Sequence, residues 1–254
     1  MALIKTEQEI NRMRKAGALV GAVLSVLKKE TKPGVRLIDL DRFAFRIIQD
    51  AGAKPSFLGY RPEGADRPYP ATICASVNDT IVHGVPNGYA LKQGDVLKID
   101  LGVIWEGYHA DAAITVPVGT ISEIAEKLIV ATEESLSRAI KKMTPGNTLG
   151  DIGHEIQSVA TRYGFSVAEG LTGHAIGSHL HEDPPVWNNA DKGKGRKLEP
   201  GMVFALEPML TVGSPAIIQK EDESYGTKDK SLSAHFEHTV LVTKTKPEIF
   251  TLLP

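Results

Sequence analysis

Apolar positions along the chain fall into helical runs that alternate with apolar, β-branched ones. Thr6 and Glu9 have the spacing of a capping box, and Ile10, Met13, Gly17, Val20, Leu24 and Leu27 follow three or four residues apart, as one helix face requires. Pro33-Gly34 stops this helix. A second run, Leu40, Phe43, Ala44, Ile47, Ile48 and Ala51, predicts another helix ending at Gly52, where a residue without Cβ takes the left-handed C′ conformation. Gly94-Asp95-Val96-Leu97-Lys98-Ile99-Asp100 and Ile114-Thr115-Val116 then read as strands, with Ile104-Trp105-Glu106-Gly107 as the hairpin turn between them.

The second half repeats the first. Ile124, Leu128, Ala131, Leu136 and Ile140 form an amphipathic run that stops at Pro145-Gly146, and Leu149, Ile152, Ile156, Val159 and Gly164 follow. Pro33-Gly34-x-x-Leu37-x-Asp39-Leu40 aligns with Pro145-Gly146-x-x-Leu149-x-Asp151-Ile152. Gly94 through Asp100 aligns with Gly201-Met202-Val203-Phe204-Ala205-Leu206-Glu207, and His109-Ala110-Asp111 with His235-Phe236-Glu237 ahead of Thr239-Val240-Leu241-Val242. Each half is therefore expected to carry two strands, each bearing one carboxylate.

Composition narrows the class. A chain of 254 residues with formal net charge -2 has no basic field with which to gather nucleic acid or anionic membrane. No apolar stretch reaches membrane-spanning length, and the segment from Met1 to Glu7 lacks the basic and apolar regions of a signal peptide, so a cytoplasmic location is expected. The single cysteine, Cys74, excludes an internal disulfide.

The repeated acids carry the chemistry. A hairpin centred between residues 105 and 106 would set Asp100 opposite Asp111. Like charges facing across a sheet among apolar neighbours such as Ile99 and Leu101 repel and lose hydration, and a cation reverses both effects. One such acid alone reads as a solvated strand residue or an ion-pair partner. Asp100, Asp111, Glu207 and Glu237, at equivalent places in two copies, read better as a shared metal site. His174, within Thr172-Gly173-His174-Ala175-Ile176-Gly177, is the candidate nitrogen ligand, although a loop histidine on its own is more often merely exposed. Oxygen ligands without thiolates favour Mn(II), Fe(II), Co(II) or Zn(II).

These residues resemble the type I methionine aminopeptidases of the pita-bread fold over nearly the whole chain. The resemblance rests on Ile81-Val82-His83-Gly84-Val85-Pro86, Ile99-Asp100 through His109-Ala110-Asp111, Gly173-His174, His181-Glu182-Asp183-Pro184, the run from Pro200 to Pro208, and Glu237-His238-Thr239. The short span from His181 to Glu207 separates this chain from type II relatives. The resemblance implies an α/β (α+β) fold in one catalytic domain spanning 1–254. Its halves, about 1–120 and 121–254, are related by a pseudo-twofold axis, with an antiparallel sheet covered by helices and the site between them. Two divalent ions are implied, held by Asp100, Asp111, His174, Glu207 and Glu237, with Asp111 and Glu237 bridging.

The implied activity is excision of the initiator methionine from nascent chains by metal-activated hydroxide, favouring a small second residue. Glu207 assists proton transfer, His181 lies near the scissile carbonyl and His83 near the amide or leaving group. Both histidines also have an ordinary reading as loop residues. Nascent polypeptide N-termini beginning with Met are the expected partners, with the ribosome a further candidate, no nucleic acid or membrane, and a monomeric state. Tyr60, Tyr69 and Cys74 are candidate pocket residues, with core packing an equal reading for Cys74. His109 and His235 sit two residues before ligand acids and so share their strand face, which suggests that they support the ligands. His154 and His179 read as exposed, and His238 should point away from the site.

Some positions depart from the family pattern. Ala175 replaces the usual glycine after His174, Arg61–Arg67 looks like a surface-loop insertion, and Leu171 and Leu180 stand where relatives often have aromatics. Two other readings stay open: a proline-directed aminopeptidase of the same fold, and a peptide-binding module of that fold without catalysis.

Overall fold

In a computed structural model of the chain, the described residues are 3–61 and 66–254; most of the Arg61–Arg67 insertion, residues 62–65, lies outside them. Helix α1 (Glu7–Glu30) starts at the predicted capping box, with Thr6 accepting from Glu9 N–H and Glu9 accepting in return. Such reciprocal bonds satisfy two otherwise orphaned amides and typically stabilise a helix by about 1 kcal/mol. Helix α2 (Leu37–Asp50) ends as expected, with Gly52 at φ 74°. Helix α3 (Glu123–Lys141) is capped by Ser122, and α4 (Leu149–Tyr163) by a second box between Thr148 and Asp151. Ile124, expected on the buried face of α3, is 43% exposed in its first turn.

The strands Val96–Trp105 and Tyr108–Pro117 form the first hairpin, and its register differs from the expected one. Trp105 pairs with Tyr108, so the loop is Glu106-Gly107, with φ 47° and 82°. Positive φ at both central residues is the signature of a type I′ turn, which tolerates glycine far better than tryptophan. The centre therefore moves one residue along. Asp111 pairs with Gly102 and Asp100 with Ala113, which sets the two aspartates on one face but diagonally.

The second half also corrects the expectation of one carboxylate inside each strand. Strand Val203–Leu206 pairs with His238–Leu241, and Met209–Thr211 pairs with Ser233–His235. Glu207 and Glu237 fall in the breaks between these collinear segments, whereas Asp100 and Asp111 lie within unbroken strands.

Backbone geometry repeats between the halves. Gly94 and Gly201 share φ values of 94° and 93°. Gly94 N–H donates to Val118 O and Gly201 N–H to Val242 O, both at 2.9 Å, while Val118 N–H and Val242 N–H donate to Asp95 O and Met202 O at the same distance. Duplication is thus visible bond by bond.

Among the described residues all strand pairings are antiparallel, as expected, in ladders of four, five, three and three strands. Helix α1 packs on the first hairpin and on α2, while α3 and α4 pack on each other and on the strands Ser233–His235 and Glu182–Trp187 respectively. One apolar cluster runs through both halves, from Leu24 and Leu40 through Ile99 and Ile114 to Ile152, Phe204 and Val240. Among the described residues, no helix is long and apolar enough to cross a membrane.

Candidate metal centre

The four acids meet where the halves join. Glu237 N–H donates to Ala113 O at 2.9 Å, tying the strand break of the second half to the hairpin of the first. Asp111, His174 and Glu237 each offer one ligand atom, all within 4.8 Å of one another. His174 Nε2 lies 3.5 Å from Asp111 Oδ2 and 3.6 Å from Glu207 Oε1. His174 is carried by the strand Thr172–Ala175, and its Nδ1 faces Ala175 O at 3.0 Å, which leaves Nε2 free to meet a cation. Ala175 is completely buried beside a shift in strand register, so its methyl group is absorbed by the core.

The electrostatics are those of a site built for positive charge. Burial, then Asp111, raises the pKa of Asp100 well above the carboxylate range. Burial raises Asp111 as well, opposed by His174 and by the hydrogen bond from Thr239. Glu207 and Glu237 are raised by burial and then by the other acids. Asp100 Oδ1 is buried without a hydrogen-bond partner. An orphaned carboxylate oxygen beside three more acids is costly without a cation and is ready-made coordination with one. Four carboxylates and an imidazole fit hard or borderline divalent ions.

This centre forms part of the wall of a cavity of about 940 Å³, which Tyr60, Tyr69, Cys74, His83 and His181 also line. Cys74 pairs in register with Asp100 and is buried, so it both packs and faces the cavity. Tyr69 donates to Ile73 O at 3.0 Å or Gly84 O at 2.9 Å, which holds its ring against the wall. His181 stands edge-on to His174, with ring centroids 4.4 Å apart, and its Nδ1 lies 2.7 Å from Tyr60 Oη. One edge of His181 faces the open cavity, yet the protein packed around the ring, then His174, His83 and His109, push its pKa down to about 3. His83 sits at φ 61° with its ring edge-to-face with Tyr225; part of the residue is open to solvent, yet the protein packed around the ring lowers its pKa.

The two supporting histidines part company. His235 Nε2 is 3.6 Å from Glu207 Oε2, and burial pushes its pKa down to about 3, so the ring is neutral. His109 has its Nδ1 2.9 Å from Ser56 Oγ. His238 bonds Thr251 Oγ1 at 2.9 Å, outside the site, and His154 and His179 are exposed. Leu171 and Leu180 line the cavity.

Sequence reasoning missed two residues that hold candidate ligands. Thr239 Oγ1 accepts from Asp111 N–H at 3.0 Å and lies 2.8 Å from Asp111 O and 3.1 Å from Oδ1. Its place two residues after Glu237 in an extended segment was the available signal. Asn188 Nδ2 donates to Glu207 O at 2.9 Å, and no local pattern marks it.

Duplicated antiparallel framework, buried acids and open cavity together define a metal-dependent peptidase: the profile of metallopeptidase family M24 matches residues 11–244, and the chain belongs to that family. It is 46% identical over 254 residues to a methionine aminopeptidase of Clostridium perfringens, covering 100% of both chains. The crystal structure of a methionine aminopeptidase from Thermotoga maritima superposes with a TM-score of 0.95 at 39% identity, covering 99% of this chain and 100% of that one. A prolidase of Pyrococcus horikoshii shares the fold alone, at a TM-score of 0.80 and 22% identity, over 99% of this chain and 64% of its own.

Proposed function

We propose that the protein is a methionine aminopeptidase that removes the initiator methionine from nascent chains with a small second residue, working as one catalytic domain with two divalent ions. The observation that carries this reading is the meeting of Asp111, His174 and Glu237 within 4.8 Å, beside Asp100 and Glu207, in the wall of a cavity that opens to substrate. Full-length similarity to methionine aminopeptidases supports the choice of substrate over Xaa-Pro peptides.

Asp100, Asp111, His174, Glu207 and Glu237 would hold the ions, with Asp111 and Glu237 shared between them. Bound there, Mn(II), Fe(II), Co(II) or Zn(II) would supply Lewis acidity toward the scissile carbonyl and toward water. Glu207 accepts the nucleophile's proton on a carboxylate oxygen and passes it to the leaving amine. Tyr60 O–H, donating to His181 Nδ1, fixes the tautomer that carries a proton on Nε2, and that N–H faces the substrate carbonyl oxygen. His83 is neutral and binds the substrate amide. Tyr60, Tyr69 and Cys74 form the walls that receive the methionine side chain.

The enzyme is taken to act in the cytoplasm as a monomer, meeting its substrates at or near the ribosome. The test is to strip the protein of metal, offer Met-Ala-Ser and an Xaa-Pro peptide, and restore each ion in turn. Methionine is released only after metal returns; Xaa-Pro cleavage in its place, or silence with every ion, overturns the reading.

A further inference from the structure

The first of the described residues reach the cavity wall through a buried ion pair. Lys5 Nζ donates to Glu182 Oε2 at 2.6 Å, and the two side chains are 4% and 3% exposed. Lys5 is itself pinned, since its N–H donates to Gly201 O at 2.8 Å and Ile4 bridges to Met202. The other carboxylate oxygen, Glu182 Oε1, accepts from His179 N–H at 3.1 Å and from Ser178 Oγ at 3.4 Å. Gly177 closes the arrangement: its N–H donates to His179 O at 3.1 Å, and a Cβ there would lie 2.5 Å from Lys5 Nζ. Residues 177–182 thus wrap around a buried carboxylate, and this turn presents His181, together with Leu180, to the cavity.

Burying both charges loses much of their hydration, and an apolar pair of similar volume is often as stable or more so. Stability alone therefore does not account for an ionic pair at this place. A carboxylate does something an apolar side chain cannot: it accepts two hydrogen bonds from the turn. Lys5 fixes the carboxylate, the carboxylate fixes the His179 amide, and the turn sets the imidazole two residues further on within reach of Tyr60.

We infer that the Lys5–Glu182 pair is a positioning device for His181, so that residues at the start of the chain tune turnover without touching substrate. This rests on the reading of His181 as the group facing the scissile carbonyl.

The test compares two double variants of the metal-loaded enzyme on Met-Ala-Ser. Lys5→Met/Glu182→Gln removes both charges but keeps an amide oxygen for the His179 N–H, and its kcat stays within about 3-fold of the parent. Lys5→Met/Glu182→Met removes the acceptor too, and kcat falls roughly 10- to 100-fold, the penalty of a misplaced catalytic group, with KM and calorimetric metal affinity unchanged. Full turnover in the Met/Met variant, with His181→Ala impaired, overturns the positioning role alone; full turnover in His181→Ala overturns it together with the reading it rests on. Should the Met/Met protein not fold, Lys5→Met alone, which keeps the carboxylate but releases it from Lys5, replaces it: lowered kcat at constant KM supports the device, and parental kcat overturns it.

Discussion

Replacing Thr239 by valine keeps the β-branched shape at a fully buried position and removes one oxygen. That oxygen accepts from Asp111 N–H at 3.0 Å and lies 2.8 Å from Asp111 O, so the substitution leaves a donor and an acceptor of the first hairpin without partners. A buried group left unpaired costs about 1–3 kcal/mol, whereas valine gains little because the methyl fills volume already occupied. The expected loss is about 2–4 kcal/mol of folding free energy, read from the midpoint of equilibrium urea unfolding at unchanged slope. Asp111 also loses the contact to Oδ1 at 3.1 Å, so metal affinity should fall on the order of 10- to 100-fold by calorimetry, as for other groups that orient ligands. Thr239→Ser, which keeps the oxygen, should retain affinity within about 3-fold and lose roughly 1 kcal/mol through the missing methyl. Valine within about 0.5 kcal/mol of the parent, with unaltered metal binding, would refute the account of Asp111 given above.

Glu237→Ala should lower kcat/KM for Met-Ala-Ser by more than about 100-fold even at saturating metal, because a shared ligand is lost; parental turnover would remove its bridging role. Tyr60→Phe deletes the hydroxyl at His181 Nδ1 and should reduce kcat by about 3- to 10-fold, the worth of one neutral hydrogen bond, with KM held; a change confined to KM contradicts the tautomer assignment. Burial and mutual repulsion raise the pKa of Asp100, Glu207 and Glu237 in the folded, metal-free chain above their unfolded values, so their contribution to stability is complete below about pH 4 and is lost as pH climbs through the raised folded values. The metal-stripped protein should therefore lose melting temperature toward pH 8 more steeply than a Glu207→Gln/Glu237→Gln variant; equal slopes would show that these acids are not held at raised pKa.

Helix boundaries were legible in the sequence wherever a cap was written into it, as at Thr6 with Glu9 and at Gly52. Repetition brought the four acids forward, since equivalent charges among apolar residues in two copies have few other uses. The hairpin register was misjudged because periodicity alone cannot say which two residues turn the chain. That choice belongs to backbone sterics at Glu106-Gly107, and an error of one residue in the centre moves Asp111 by two partners. His109 shows the limit of face arguments: strand alternation places it on the side of Asp111, but Ser56, far away in sequence, captures its ring. Asn188 and Thr239 act through backbone atoms of residues distant in the chain, and no local rhythm encodes such meetings.

The breaks at Glu207 and Glu237 have a mechanical consequence. Two aspartates are gripped by a continuous hairpin of two ten-residue strands, while two glutamates, longer by a methylene, sit at joints between short strand segments. The glutamates are instead fastened one by one from outside their own ladders, Glu237 through Ala113 O and Glu207 through Asn188 Nδ2. Copies that began alike thus grip their acids in different ways, one by a whole ladder and the other by single bonds.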